Sequence, residues 1–200
     1  PNFKVDVRCM TFNQSKYITD ALNGFCIQQT TFPFLCLIVD DASTDGEQVV
    51  IKQYLKDNFD LSETSESYEK ETDYGCITYA RNKKNRNCYF LVLFLKENHY
   101  SNPAKFAGKK LEYLKQWREG CKYEALCEGD DYWINPLKLE KQYQALEANA
   151  QATMVYCDYR TIDMDGNKII RPQYEKLKRY HRSGNNLVKL FEKNYPLTCT

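Results

Sequence analysis

Phe34-Leu35-Cys36-Leu37-Ile38-Val39 runs directly into Asp40-Asp41-Ala42-Ser43-Thr44-Asp45. An apolar run this short, without alternation, is a strand covered on both faces, as in a parallel sheet. On its amino side, Ile18, Ala21, Leu22 and Phe25 fall at i, i+3, i+4 and i+7, which predicts a helix. Before that helix, Val5 to Met10 has strand character and ends at Thr11-Phe12-Asn13. On the carboxyl side, Val49, Val50, Tyr54 and Leu55 predict a second helix. Strand, helix, strand, helix within the first 57 residues specifies a layered α/β domain with a mainly parallel central sheet flanked by helices.

Further along, Ser62 to Asp73 is acidic and polar without apolar periodicity, which predicts a mobile loop. Ile77 to Ala80 and Cys88 to Leu95 predict a hairpin joined by Arg81 to Asn87. The basic residues of that connection are expected to be a solvated turn, with phosphate binding as the alternative. Ala104 to Arg118 predicts a third helix, Tyr123 to Cys127 a buried strand, Ile134 to Ala148 a helix and Thr153 to Cys157 a strand. Asp163-Met164-Asp165-Gly166-Asn167 predicts a turn, and about 185 to 193 a last helix.

Composition narrows the function classes. The 28 basic and 27 acidic residues leave a net charge of +1, no electrostatic footprint for nucleic acid. Nine cysteines include no C-x-x-C pair, which argues against a zinc or redox motif. Cys9, Cys26, Cys36, Cys88, Cys127 and Cys157 lie in or beside apolar runs, where a thiol acts as a small hydrophobe and suits a reducing compartment. No apolar run approaches the length of a membrane span. The expected location is cytoplasmic, with association at the inner face of a membrane as the alternative. The expected organisation is a single domain over residues 1–200.

Two acidic pairs carry the chemistry. Asp40-Asp41 follows one predicted strand; Asp130-Asp131 follows another through Glu128-Gly129. Ligands of open α/β sheets bind outside the carboxyl ends of strands. Adjacent like charges there are costly unless a cation or donor groups receive them. Helix capping is the competing role, since aspartate is a favoured cap. Other caps are at hand, however: Thr44 with Glu47 fits a capping box, and Asn135-Pro136 an Asn cap with proline behind it. Magnesium or manganese held by one or two carboxylates plus phosphate oxygens fits a nucleoside diphosphate. The metal would neutralise that leaving group, an aspartate at the other strand end would accept a base N–H, and Gly129 permits close backbone approach.

Thr11-Phe12-Asn13, Leu37-Ile38-Val39-Asp40-Asp41-Ala42-Ser43-Thr44-Asp45 and Glu128-Gly129-Asp130-Asp131-Tyr132-Trp133 together resemble family 2 glycosyltransferases, over about residues 3 to 160. The resemblance implies the Rossmann-like A-type fold and transfer of a sugar, with inversion, from a nucleotide-sugar donor to a glycan or lipid-linked acceptor. It further implies that Thr11, Phe12 and Asn13 border base and ribose, and that Asp41 reads the base, with uracil and hence a UDP-sugar implied. By the same resemblance Asp130 lies on the ribose or sugar side, and Asp131 binds the metal, Mn2+ or Mg2+. Trp133 is assigned to packing beneath the site, with sugar stacking as the alternative.

Several positions depart from the family pattern. Met10 stands where proline is usual, and Ala42 where glycine is usual. The family's middle arginine has three candidates here, Lys105, Lys109 and Lys110. The acidic catalytic base has no clear match. Asp158 is a weak acceptor-side candidate, and Asp163 and Asp165 are turn residues. The expectation is therefore a domain that stops before its acceptor side, binding donor without transferring sugar. A sugar-phosphate nucleotidyltransferase, the other enzymatic alternative, would need glycine between Thr11 and Lys16, and none is present. No dinucleotide fingerprint or P-loop occurs.

Overall fold

The structure, a computed structural model, describes residues 1–163 and 165–169 and divides the chain into two compact units, Pro1–Gln151 and Ala152–Thr200. The first contains β1 (Val5–Thr11), α1 (Ile18–Cys26), β2 (Phe34–Asp40), α2 (Glu47–Asn58), β3 (Phe59–Asp60), β4 (Tyr68–Glu71), β5 (Gly75–Asn82), β6 (Cys88–Leu95), α3 (Pro103–Phe106), α4 (Lys109–Arg118), β7 (Tyr123–Leu126) and α5 (Lys138–Glu147). These strands form one seven-stranded sheet in the order β3-β5-β6-β2-β1-β7, with β4 also paired to β5. Strands β6, β2, β1 and β7 run parallel, in register Val5 with Phe34 and Tyr123, and Phe34 with Cys88. Strands β3 and β4 run antiparallel to β5, and β5 antiparallel to β6. The sheet is thus mixed α/β with a parallel centre, as expected.

All residues of β2 and β6 are buried, because both strands are covered on both faces. Side chains alternate across the sheet. Val7, Cys9, Cys36, Ile38, Phe90 and Val92 meet Ile18, Leu22 and Phe25 of α1 and Ile51 and Leu55 of α2. Leu35, Leu37, Val39, Leu91 and Leu93 share the other cluster with Leu114 of α4. The four periodic residues expected to bury α1 are all buried.

Four expectations are corrected. Part of the expected 62–73 loop is β4, an edge strand of Tyr-Glu-Lys-Glu whose charges discourage pairing with a further strand. Tyr68 lies opposite Tyr79, and the rings stack at 5.4 Å. The helix expected from Ala104 to Arg118 is split, because Gly108 at φ 75° is left-handed and ends α3 before α4 starts. Helix α5 starts at Lys138, not Ile134: Asn135 and Pro136 form the preceding turn, and buried Gln28 accepts the Leu139 N–H at 3.1 Å. Strand β7 is only partly buried, because it is the edge of the sheet.

In the second unit, no residue of 153–157 is buried or in a strand, so the strand expected there is absent. Strands β8 (Thr161–Ile162) and β9 (Lys168–Ile169) form a small hairpin. Asp163 Oδ1 accepts the N–H groups of Asp165 and Asn167 at its turn, as that sequence specifies. The helix expected near 185 to 193 lies outside the described residues.

One buried charge gives the fold a pH signature. Asp6 of β1 is 2% exposed, its Oδ2 makes no hydrogen bond, and its nearest cation atom is Arg118 Nε at 3.8 Å. Burial first, and then Glu124 beside it, push the Asp6 carboxyl up to about 6. The folded state therefore holds this proton more tightly than the unfolded chain. The resulting stability is full below about pH 4 and is lost as pH rises through about 6. Asp6→Asn is expected to be more stable than the parent by about 2 kcal/mol at pH 8 and equal to it below about pH 4, measured by urea unfolding.

Candidate nucleotide and metal site

Strand β1 sits between β2 and β7, so their three following loops meet at one edge. The Asp41 N–H donates to Thr11 O at 3.0 Å, and the Gly129 N–H to Met10 O at 3.2 Å. Both acidic pairs are thereby tied to the end of β1. Two strand spacings, about 10 Å, separate the two loop roots, a span suited to a nucleoside diphosphate. Helix α1 packs on one face of the sheet and α4, which leads into β7, on the other. From β1 the chain passes to β2 on one side and later returns to β7 on the other, so the strand order reverses between β1 and β7, the topological switch point where such sheets bind ligands.

The loops after β1 and β2 form one hydrogen-bonded platform. Asn13, at φ 54°, accepts the Thr44 N–H on Oδ1 at 2.8 Å, and its own N–H donates to Ser43 Oγ at 2.9 Å. Asp45 Oδ2 accepts the Ser15 N–H at 2.9 Å, and Oδ1 the Glu47 N–H at 3.0 Å. Thr11 is 4% exposed, with its hydroxyl in reach of Gln14 Oε1 and Glu47 Oε1. Phe12 remains 44% exposed. Gly129 has no room for a Cβ, which would overlap Thr11 Oγ1 and Gln14 Oε1. The close approach that this glycine permits is to Thr11 and Gln14.

Glu47 was expected to complete a capping box with Thr44. Instead Gly46 precedes the helix, and the wholly buried Glu47 side chain joins the platform. Its Oε2 accepts the Gln14 N–H at 2.9 Å and the Ser43 hydroxyl at 2.8 Å. A carboxylate with three donors in a buried site satisfies them better than the first turn of its own helix would.

Of the first pair, Asp40 closes its own turn: Oδ1 accepts the Ser43 N–H at 3.1 Å and Gln48 Nε2 at 2.6 Å. Asp41, 3% exposed, accepts the N–H groups of His99 at 2.9 Å and Tyr100 at 3.1 Å, and Lys110 Nζ lies at 2.7 Å. Lys105 pairs with Glu97 and Lys109 with Glu112, so the structure brings Lys110, of the three candidates, to Asp41. His99 is buried, stacked on Phe106 at 3.9 Å; burial first holds its imidazole below the usual range. Sequence reasoning missed the roles of Glu47, His99 and Tyr100. The only available signal was Glu97 to Asn102, a polar segment directly after a buried strand.

The second pair is open. Asp130 is exposed and Asp131 half-buried, while Trp133 is 5% exposed, packed edge-on to Phe25 at 5.2 Å beneath Lys138 Nζ at 4.4 Å. Partial burial first, then Asp130 and Asp131, hold the Glu128 carboxyl above its usual range. Three carboxylates thus repel one another on one short loop, an arrangement that a cation would relieve. Among the described residues, no group of three or more His, Cys, Asp or Glu side chains converges as a metal cage.

The basic connection at Arg81–Asn87 is structural: Lys83 Nζ donates to the Lys56 and Asp57 carbonyls, and Asn85 Nδ2 to those of Cys26 and Gln28. A concavity of about 570 Å3 lies beside it, lined by Gln28, Thr31, Lys84, Asn85 and Glu140. It opens by the amino ends of β2 and β6, away from both acidic pairs.

Ala42 occupies the left-handed region at φ 62°, where a Cβ is strained. Ala42→Gly is expected to stabilise the protein by up to about 1 kcal/mol, the relief of strain exceeding the added unfolded-state entropy. Thermal unfolding checks this, and a loss of stability would contradict the assigned backbone.

No family model matches the chain. The uncharacterized proteins Rv1520 of Mycobacterium tuberculosis (strain H37Rv) and Mb1547 of Mycobacterium bovis are each 31% identical over 159 residues, covering 80% of this chain and 36% of the relative. The chain thus spans about a third of the length of the curated relatives it matches. The crystal structure of S. aureus TarS 1-349 in complex with UDP is 23% identical, with a TM-score of 0.46, over 73% of this chain and 32% of that one. The same protein in complex with UDP-GlcNAc gives 23% and a TM-score of 0.45 over the same shares. Among the described residues, no helix is long and apolar enough to cross a membrane.

Proposed function

We propose that this chain is the donor-binding part of an inverting glycosyltransferase that uses a nucleotide-activated sugar, a UDP-sugar by its motif resemblance, with Mn2+ or Mg2+. The observation that carries the reading is the placement of Asp40-Asp41 and Asp130-Asp131 on either side of β1, at the switch point of the sheet. On this reading Asp131 binds the metal and Asp130 faces ribose or sugar. Thr11, Phe12 and Asn13 border the nucleoside, with Thr11 and Asn13 shaping that wall through the hydrogen bonds described above. Asp41, held by Lys110, sits at the base end. The metal, when bound, neutralises the diphosphate as its bond to the sugar breaks. The residues of the chain bind and orient the donor; a base from the acceptor side takes the acceptor proton. The test is calorimetry with UDP, GDP and ADP, each with and without manganese. Preferential, manganese-dependent binding of UDP supports the reading. Equal or metal-independent binding of all three overturns it.

A further inference from the structure

Tyr100 is 87% exposed, more than any other large apolar or aromatic side chain among the described residues, yet its backbone is fixed. Its N–H donates to Asp41 Oδ2 at 3.1 Å, and its neighbour His99 is anchored by burial, by the Asp41 bond and by Phe106. A ring held out on a pinned backbone loses little further freedom when a planar ligand stacks on it. Phe12 is the matching case on the other side: 44% exposed, next to Thr11, whose carbonyl accepts the Asp41 N–H. Strand order β6-β2-β1 places the loop carrying Tyr100 and the loop carrying Phe12 on opposite sides of Asp41. Their roots are about two strand spacings, about 10 Å, apart. A planar heterocycle stacked between two rings needs about 9 Å, two stacking distances of about 4.5 Å, which the spacing of the loop roots allows.

We infer that Tyr100 is a further donor-binding residue, forming with Phe12 a two-ring clamp for the nucleobase above Asp41. This rests on the donor site proposed above and adds a residue to it from a segment outside the recognised motifs. Stacking accepts any base face, so the clamp supplies affinity, and the edge groups beside it supply the choice of base.

Titration of the purified chain with UDP and, separately, with inorganic pyrophosphate, both with manganese, tests the clamp. Tyr100→Ala keeps the N–H to Asp41 and removes only the ring. It is expected to weaken UDP about tenfold and leave pyrophosphate within about twofold, while Tyr100→Phe retains UDP affinity. UDP affinity unchanged in Tyr100→Ala, or an equal loss for pyrophosphate, overturns the inference and leaves the donor site standing. Failure of the unaltered chain to bind UDP removes both.

Discussion

Asp131→Ala is expected to lower manganese-dependent affinity for UDP by about 100-fold or more without unfolding the protein. A divalent ion shared between protein and diphosphate depends on very few protein ligands, so loss of one removes most of the attraction. The fold should tolerate the change. Asp131 is only half-buried and adjoins Glu128 and Asp130, so one negative charge fewer relieves repulsion. The unfolding midpoint is expected to move by no more than about 2 °C. Asp131→Asn should show most of the same loss, because an amide is a poor ligand for a hard cation. Unchanged affinity and metal dependence in Asp131→Ala would show that Asp131 is not the metal residue.

Glu47→Ala is expected to cost about 4 kcal/mol of stability and about 10 °C of unfolding temperature. The residue is wholly buried and receives the Thr11 hydroxyl, the Gln14 N–H and the Ser43 hydroxyl. Removing it strands the Gln14 N–H and the Ser43 hydroxyl, each at about 1–3 kcal/mol if buried, leaves the Thr11 hydroxyl only Gln14 Oε1, and opens a cavity. Ser43 and Gln14 retain some access to water, which keeps the total below the sum. Because the same bonds join the loops after β1 and β2, UDP affinity should fall as well. Glu47→Gln keeps one acceptor oxygen and is expected to recover roughly half of the stability. A loss below about 1 kcal/mol for Glu47→Ala would contradict the platform.

The parallel centre of the fold was legible because burial on two faces leaves an unbroken apolar run, as in Phe34 to Val39, and an amphipathic helix leaves a 3.6-residue period, as in Ile18 to Phe25. Strand β4 was not legible: an edge strand needs no apolar residues, and Tyr68–Glu71 carries charge on both faces. The break at Gly108 was hidden because a single glycine inside a helical pattern is often tolerated. In the site, the acidic pairs stood out by position after a strand, which local sequence does reveal. Glu47 did not, since its partners Thr11 and Gln14 are more than thirty residues away in sequence. A capping box uses the same residue types at the same spacing. The choice of Lys110 over Lys105 and Lys109 likewise depended on which helix face meets Asp41, fixed only once Gly108 had broken the helix.

The central claim is that the edge formed by Asp40-Asp41, the end of β1 and Glu128–Asp131 holds a nucleoside diphosphate through a metal. Calorimetric titration of the purified chain with UDP, with manganese and again after chelation by EDTA, tests it most directly. The account predicts saturable one-to-one binding with manganese and a loss of at least about tenfold in affinity on chelation. Absence of UDP binding with manganese present, or binding of equal strength after chelation, would contradict it.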